Sequence, residues 1–355
     1  MVKYMLHVRI VMAILNIDRP KISISLSVTH MSLLLTLCTS SSIWDNFVTN
    51  SPQGSIFCRS AFLDALGVEY DLWFVEENGQ PQAGAVILRR NAEPILAPYL
   101  FTLYQGLLFA GQSRTLPPHS RPKLTLEVTE TLLKDLSERY DRLSFCLHYA
   151  TEDLRGLQWF HYHEPHLGQF KMEMYYTGLI DLTASPDLET YLTTIRTTRR
   201  YEYRKALREG LTFEVSQDID TLESLYRLTF ERQGIELDAD VLKRMRTITA
   251  AALSKGFGEL MLCRDAAGVA ASATLFLHDE RCGYYLIGAN HPDYRNSWSG
   301  TFLVLENIRR CQVRGLKWVD VCGINSPNRG DFKTSLNAVP TPYFVVTWER
   351  PSTGS

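Results

Sequence analysis

One order of elements, helices then a β-hairpin, a strand, a helix and a closing strand, can be read twice along this chain. That repetition rules out most architectures before any residue is given a role. In the first half, "WDNFVTNSPQGSIFCRSAFLDALG" predicts two short helices, the second closed by Gly67. "YDLWFVEENGQPQAGAVILRR" sets two apolar runs around Asn78-Gly79, a hairpin signal. "PYLFTLYQGLLF" reads as a third strand. "LTLEVTETLLKDLSERY" spaces Leu126, Val128, Leu132, Leu133 and Leu136 for one helix face, and "RLSFCLHY" reads as the strand after it.

The second half repeats the order. Helices are predicted in "IDTLESLYRLTFERQGI" and "DADVLKRMRTITAAALSKG", and a hairpin in "ELMLCRDAAGVAASATLFLH". The strand "RCGYYLIGAN", the helix "GTFLVLENIRRCQVRG" and the strand "KWVDVCG" complete it. Strands interleaved with helices specify α/β or α+β units and exclude a helical bundle or a β-sandwich. The boundaries expected are a leader over 1–42, a first domain over 43–175 and a second over 176–350. Two domains suit a chain of 355 residues.

The leader holds "VRIVMAILNI", broken by Asp18, Arg19 and Pro20, and then "SLLLTLC". Both fall short of the roughly 20 apolar residues that cross a bilayer, so no membrane span is expected. Leu37 before Cys38 does not suit a lipoprotein cleavage site. Residues 1–42 are therefore expected to be disordered, or not translated if the natural start lies near Met31. A net charge of −2 argues against a wholesale nucleic-acid binder, though not against a local basic patch. Seven scattered cysteines with no C-x-x-C pair read as reduced thiols, hence a cytoplasmic protein. The triplet His161, His163 and His166 lacks a fourth ligand and a fixed scaffold, so no metal is expected. Oligomeric state is not encoded in any feature of the sequence.

The polar loop "HPDYRNSWSGTF" lies between a strand and an amphipathic helix. Free N–H groups at such a helix start favour an anion. The alternative is a plain connection. In "RTTRRYEYRKALR", Arg196, Arg200 and Arg204 fall four apart and share a helical face. That face is either solvated or a clamp for phosphates, with Tyr201 and Tyr203 beside it. "VDVCGINSPNRGDFKTSL" ends a strand at Cys322-Gly323, runs through a polar loop and returns with Lys333 behind Phe332. Asp320, inside an apolar strand, is either solvent-facing or a buried carboxylate with a partner.

The stretch "ANHPDYRNSWSGTFLVLENIRRCQVRGLKWVDVCG" resembles the acyl-coenzyme A segment of the GNAT N-acetyltransferase superfamily. "IRTTRRYEYRKALREGL", "YYLIGA" and "DFKTSLNAVPTPY" resemble its Fem-type branch, also called BioF2-like or FemAB-like. The resemblance covers most of 43–350. It implies two tandem GNAT-like domains, each a mixed, mostly antiparallel sheet flanked by helices. The implied activity is acyl transfer from acetyl-coenzyme A or another acyl-coenzyme A to a small-molecule or peptide amine. Arg295, Ser299, Gly300, Thr301 and Gly323 would hold the donor, and Arg200 and Arg204 phosphates of donor or acceptor. Lys333 would stabilise the oxyanion, and Tyr285 or Tyr284 would supply a hydroxyl. Strand alternation lets only one of the two tyrosines face the site. Trp298 stands where the standard phosphate loop has its first glycine, and an indole there obstructs close approach of a pyrophosphate. The Fem-type branch also includes enzymes that take aminoacyl-tRNA and extend peptidoglycan precursors. A third possibility is a binding module that kept the fold without the chemistry.

Overall fold

A computed structural model describes residues 33–111, 117, 120–294 and 296–352. Folded structure begins before the expected Ile43. Strand β1 (Leu33–Leu37) pairs antiparallel with β2 (Glu69–Glu77), so "LLLTL" is a sheet strand, not leader. Helix α1 (Ser41–Asn50) starts at Ser40, whose hydroxyl accepts the Ile43 N–H, and α2 (Ser60–Ala65) follows. β2 turns into β3 (Gln80–Arg90) through Asn78 and Gly79, both at positive φ, as the Asn-Gly pair predicts. β4 (Glu93–Pro94) and β5 (Leu107–Phe109) also pair with β3. These five strands form an antiparallel sheet.

"PYLFTLYQGLLF" does not form the strand expected of it. Only Leu107–Phe109 is extended and paired, because Phe101 and Tyr104 take positive φ and fold the segment inward. Helix α3 (Arg121–Arg139) buries Val128, Leu132, Leu133 and Leu136, as its spacing foretold. β6 (Arg142–Cys146) then leaves the first sheet and becomes the edge of the second.

After α4 (Arg155–Gln158) comes β7 (Lys171–Asp181), so the expected boundary at 175/176 falls inside a strand. The rest of the chain runs α5 (Leu188–Thr194), α6 (Thr197–Arg208), β8 (Thr212–Ser216), α7 (Ile219–Glu231) and α8 (Ala239–Lys255). It continues β9 (Gly258–Arg264), β10 (Ala270–His278), β11 (Cys282–Asn290), α9 (Ser299–Val313), β12 (Trp318–Asp320), α10 (Pro327–Thr334) and β13 (Val339–Glu349). The second sheet runs β6-β13-β7-β12-β11-β10-β9-β8, antiparallel except for β11–β12. The fold class is thus α/β with two mostly antiparallel sheets flanked by helices.

One buried cluster takes Trp44, Phe57 and Phe62 from the first sheet's side and Leu260, Tyr284 and Ile287 from the second, so the halves share a core. A second cluster lies on the other face of the larger sheet, where Phe302, Leu305 and Ile308 of α9 meet Ile180, Met261 and Val319. No helix among the described residues is long and apolar enough to cross a membrane.

Candidate active site

The larger sheet opens at one place. β11 and β12 pair in parallel over only three positions, Cys282–Trp318, Gly283–Val319 and Tyr284–Asp320. Beyond them β11 continues to Asn290 on β10, while the chain after Asp320 follows β7 instead. Val321 N–H donates to the Gly178 carbonyl at 2.9 Å and Ile324 N–H to that of Tyr176 at 3.1 Å. The Asn325 amide imitates a strand partner, accepting from Tyr176 N–H at 2.7 Å and donating to its carbonyl at 3.0 Å. Two strands held by different neighbours must separate, and the result is a fork between β11 and β12.

Lys333 lies at that fork. The residues expected to be a polar loop contain α10, with Ser326 at its N-cap and Pro327 in its first turn. A proline there is a helix-start signal, legible before any coordinates. Lys333 falls in the last turn and donates to the carbonyls of Cys322 at 2.8 Å and Gly323 at 3.1 Å. Its ammonium is 5.5 Å from the centroid of the Tyr285 ring. Gly323 contributes that carbonyl without needing a positive φ; the left-handed residue at the strand end is Cys322, at φ 54°.

β11 separates the two tyrosines as alternation requires. Tyr285 stacks on Phe276 at 5.1 Å on the Lys333 side. Tyr284 is buried on the opposite face, edge-on to Phe57, and its hydroxyl donates to Asp279 at 2.7 Å. Burial pushes its pKa well above the ordinary tyrosine range. Tyr284 is therefore a core residue and does not reach the fork. An extra residue, Leu286, enters β11 where the register slips between Leu275 and Phe276. This bulge puts Tyr285 and Gly288 on one face, so close that a Cβ on Gly288 would come within 2.0 Å of the Tyr285 hydroxyl.

Beneath the fork, Asp320 is fully buried. It accepts hydrogen bonds from Tyr104 at 2.6 Å, from Thr177 and from the Cys322 N–H at 2.7 Å. Burial raises its pKa, and those three donors and Lys333 oppose the rise. His148, edge-on to Tyr104, is buried enough for its pKa to fall to about 3.

The start of α9 is built differently. Trp298 is its N-cap in the left-handed conformation, with the Lys205 ammonium 4.3 Å from its ring centroid. Thr301 donates to Glu202 at 2.6 Å, and Arg199 reaches the same carboxylate at 2.5 Å. Arg199 also donates to Ser335 at 2.7 Å and lies 4.8 Å over Phe332, so it ties α6 to both α9 and α10. The Ser299 hydroxyl is buried and has no hydrogen-bond partner among the described residues. A Cβ on Gly300 would meet the Asn290 amide at 2.9 Å, so this glycine lets α9 pack against the end of β11. Arg295 lies outside the described residues.

Arg200 donates to Thr197 at 2.9 Å, and Arg204 is exposed. Among the described residues neither is hydrogen-bonded to α9 or α10. The arginines that do reach α10 are Arg199 of this helix and Arg196 at its N-cap, the latter through a bidentate pair with Asp331 at 3.0 and 3.1 Å. Only side-chain direction around the helix distinguishes Arg199 from Arg200, and the basic run conceals it. His161 Nδ1 lies 2.9 Å from the Gly168 carbonyl. No group of three or more metal-ligating side chains occurs among the described residues.

Residues 194–334, which span α6, the fork, α9 and α10, match the family model for an acetyltransferase (GNAT) domain. The chain carries a GNAT domain. No curated protein matches it in sequence. Its fold extends well beyond the GNAT segment in its likeness to solved structures. A crystal structure of FemX superposes with a TM-score of 0.64 at 14% identity, over 88% of this chain and 96% of that one. The C-terminal domain of a putative lysylphosphatidylglycerol synthetase from Agrobacterium fabrum gives 0.51 at 12%, over 87% and 92%. A conserved protein of unknown function from Bacteroides thetaiotaomicron gives 0.51 at 6%, over 89% and 100%. At these identities the likeness is one of fold.

Proposed function

We propose that this protein transfers an acyl group from an activated donor to an amine by direct attack, within the fork between β11 and β12. The observation that carries this is the separation of two parallel strands with a lysine ammonium at their crotch. A carbonyl entering the fork would meet the Lys333 ammonium, and the negative charge that develops on its oxygen as the amine adds would be stabilised there. Fixed donors of that kind typically accelerate a reaction by about 10²–10³. The neutral amine forms the new C–N bond, the tetrahedral intermediate collapses, and the thiol or alcohol of the donor leaves. Tyr285 stands beside Lys333 as the group able to hand a proton to that leaving atom.

The family description points to an acyl-coenzyme A donor. The start of α9 favours the other donor, an aminoacyl ester carried by tRNA. There two polar groups beside the helix start, the Thr301 hydroxyl and the Arg199 guanidinium, are already engaged by Glu202, and a bulky residue, Trp298, stands at the N-cap. Arg200 and Arg204 would then serve the nucleic-acid phosphates. The acceptor we propose is a small-molecule or peptide amine, and the compartment is the cytoplasm. The two sheets would divide the work, the larger one, from β6 to β13, carrying the chemistry and the first, from β1 to β5, helping to complete the acceptor groove.

Thermal unfolding with acetyl-coenzyme A, other acyl-coenzyme A esters or aminoacyl-tRNA tests the assignment. A ligand at about 100 times its Kd stabilises the native state by about 2.7 kcal/mol. We expect stabilisation by aminoacyl-tRNA and transfer of labelled amino acid to an added amine. A response to acyl-coenzyme A alone reverses the choice of donor. No response to any of them leaves a binding module.

A further inference from the structure

The fork is held in shape by a residue that cannot touch a substrate. After Asp320 the backbone must turn from β11 toward β7, and it does so through Cys322 at φ 54°. Residues with a Cβ seldom adopt that conformation unless something enforces it. Asp320 supplies the enforcement: its carboxylate accepts the N–H of the residue two positions on, the Asx arrangement that stabilises a local turn. The same turn aims two successive carbonyls, those of Cys322 and Gly323, at one ammonium. Asp320 is itself held by the Tyr104 hydroxyl from the first half of the chain and by Thr177 of β7.

We propose that Asp320 is the positioning residue for Lys333, acting through the Cys322 turn that its carboxylate pins. This rests on Lys333 being the group at the reacting carbonyl, but the geometry it asserts concerns the protein alone. Thr177 and Tyr104 fix the carboxylate, the carboxylate fixes Cys322, and the Cys322 and Gly323 carbonyls fix the ammonium. The first half of the molecule thus reaches the reactive cation through one tyrosine hydroxyl. A purely architectural Asp320 would stabilise the fold without governing the chemistry of a lysine in another element.

The test reads that chemistry without any donor. Full-length protein is treated with trace acetic anhydride, and the acylation rate of each lysine is measured by peptide mass spectrometry. Circular dichroism checks that each variant is folded. With its ammonium held by two carbonyls, wild-type Lys333 is expected to react more slowly than the exposed Lys123. In Asp320→Ala, Lys333 is expected to react about tenfold faster, the factor that corresponds to about 1.4 kcal/mol of lost ammonium stabilisation. Asp320→Asn keeps an oxygen for the Cys322 N–H and loses only the charge that faces Lys333, so it should react faster than wild type by much less than Asp320→Ala does. Asp320→Glu keeps the charge but displaces the cap, so it should react faster, and this variant decides the question if Asp320→Ala does not fold. An unchanged rate in folded Asp320→Ala or Asp320→Glu overturns the proposal. So does acceleration in Asp320→Asn without acceleration in Asp320→Glu, which would make the coupling one of charge and not of the turn. Because no acyl donor of the enzyme enters the measurement, this inference can fail while the assignment of acyl transfer stands, and the reverse.

Discussion

The fork between β11 and β12 and the start of α9 belong to the same GNAT segment, yet they are finished in opposite ways. At the fork the sheet is left open, and the Lys333 ammonium donates to two backbone carbonyls above the buried Asp320 carboxylate. At the start of α9 the donors are already matched to a carboxylate of the protein's own. Openness beside a cation suits a carbonyl that acquires negative charge. A helix start with its own acid needs no phosphate. Under the proposed function, the chemistry of acyl transfer and the docking of a particular carrier are separable parts of one fold, the first lying at the fork and the second at the start of α9.

The largest effect is expected at the fork. Lys333→Ala should lower kcat by about 10²–10³ with a Michaelis constant within a few fold of wild type, because the ammonium acts on charge that develops only in the transition state. Kinetics at saturating donor measure it, and a loss below about threefold would remove Lys333 from the reaction. The floor gives the next effect. His148 is neutral in the folded chain, its pKa falling to about 3, and it takes up a proton near pH 6.5 once unfolded. The unfolded state therefore binds the extra proton between those values, and stability falls as pH falls through that window. Between pH 7 and pH 5 the loss from this one group is about 2 kcal/mol. Urea unfolding across that range should show the slope, and His148→Gln should flatten it. An equal slope in the variant would mean that His148 is protonated, or exposed, in the native protein.

The architecture is legible in the sequence where periodicity and turn chemistry act locally. Asn78-Gly79 makes the first hairpin, and the spacing of Leu132, Leu133 and Leu136 makes α3. Strands β7 and β13 are not legible: the first six residues of β7 stay at least partly exposed on both faces and so show no alternation. The polar composition of α10 disguises it as a loop, although Ser326-Pro327 announces it. Of the candidate site, Lys333 and Tyr285 are named by the resemblance, while alternation puts Tyr284 and Tyr285 on opposite faces without saying which of them faces Lys333. Glu202 and Arg199 cannot be singled out, since their importance comes from which face of α6 meets α9. The partners of Asp320 are equally hidden: Tyr104 lies 216 residues away in sequence and enters through a positive-φ turn.

A smaller effect sharpens the picture of the fork. Gly288→Ala would set a methyl group 2.0 Å from the Tyr285 hydroxyl, so the ring must leave its place beside Lys333. A displaced reacting group costs about tenfold or more in rate. The expected result is a lower kcat with an unchanged melting temperature, while Tyr285→Phe in the same background should cost nothing further. If the two losses multiply instead, the methyl acts elsewhere and Tyr285 is not the group it displaces.

The smallest effect bears on the helix start. Glu202→Ala releases the Arg199 guanidinium and the Thr301 hydroxyl, and Trp298→Gly clears the approach and suits a left-handed N-cap. An anion placed at a freed helix start gains about 1 kcal/mol, roughly fivefold in affinity. Titration calorimetry with acetyl-coenzyme A should therefore show weak binding to wild type and binding about fivefold tighter to the double variant, with Glu202→Ala alone giving less. The two substitutions act on different obstacles, one electrostatic and one steric, so neither should suffice by itself. If wild type already binds acetyl-coenzyme A tightly and the double variant no better, the carboxylate and the indole do not close this end of α9. The fork and the helix start would then serve one and the same carrier.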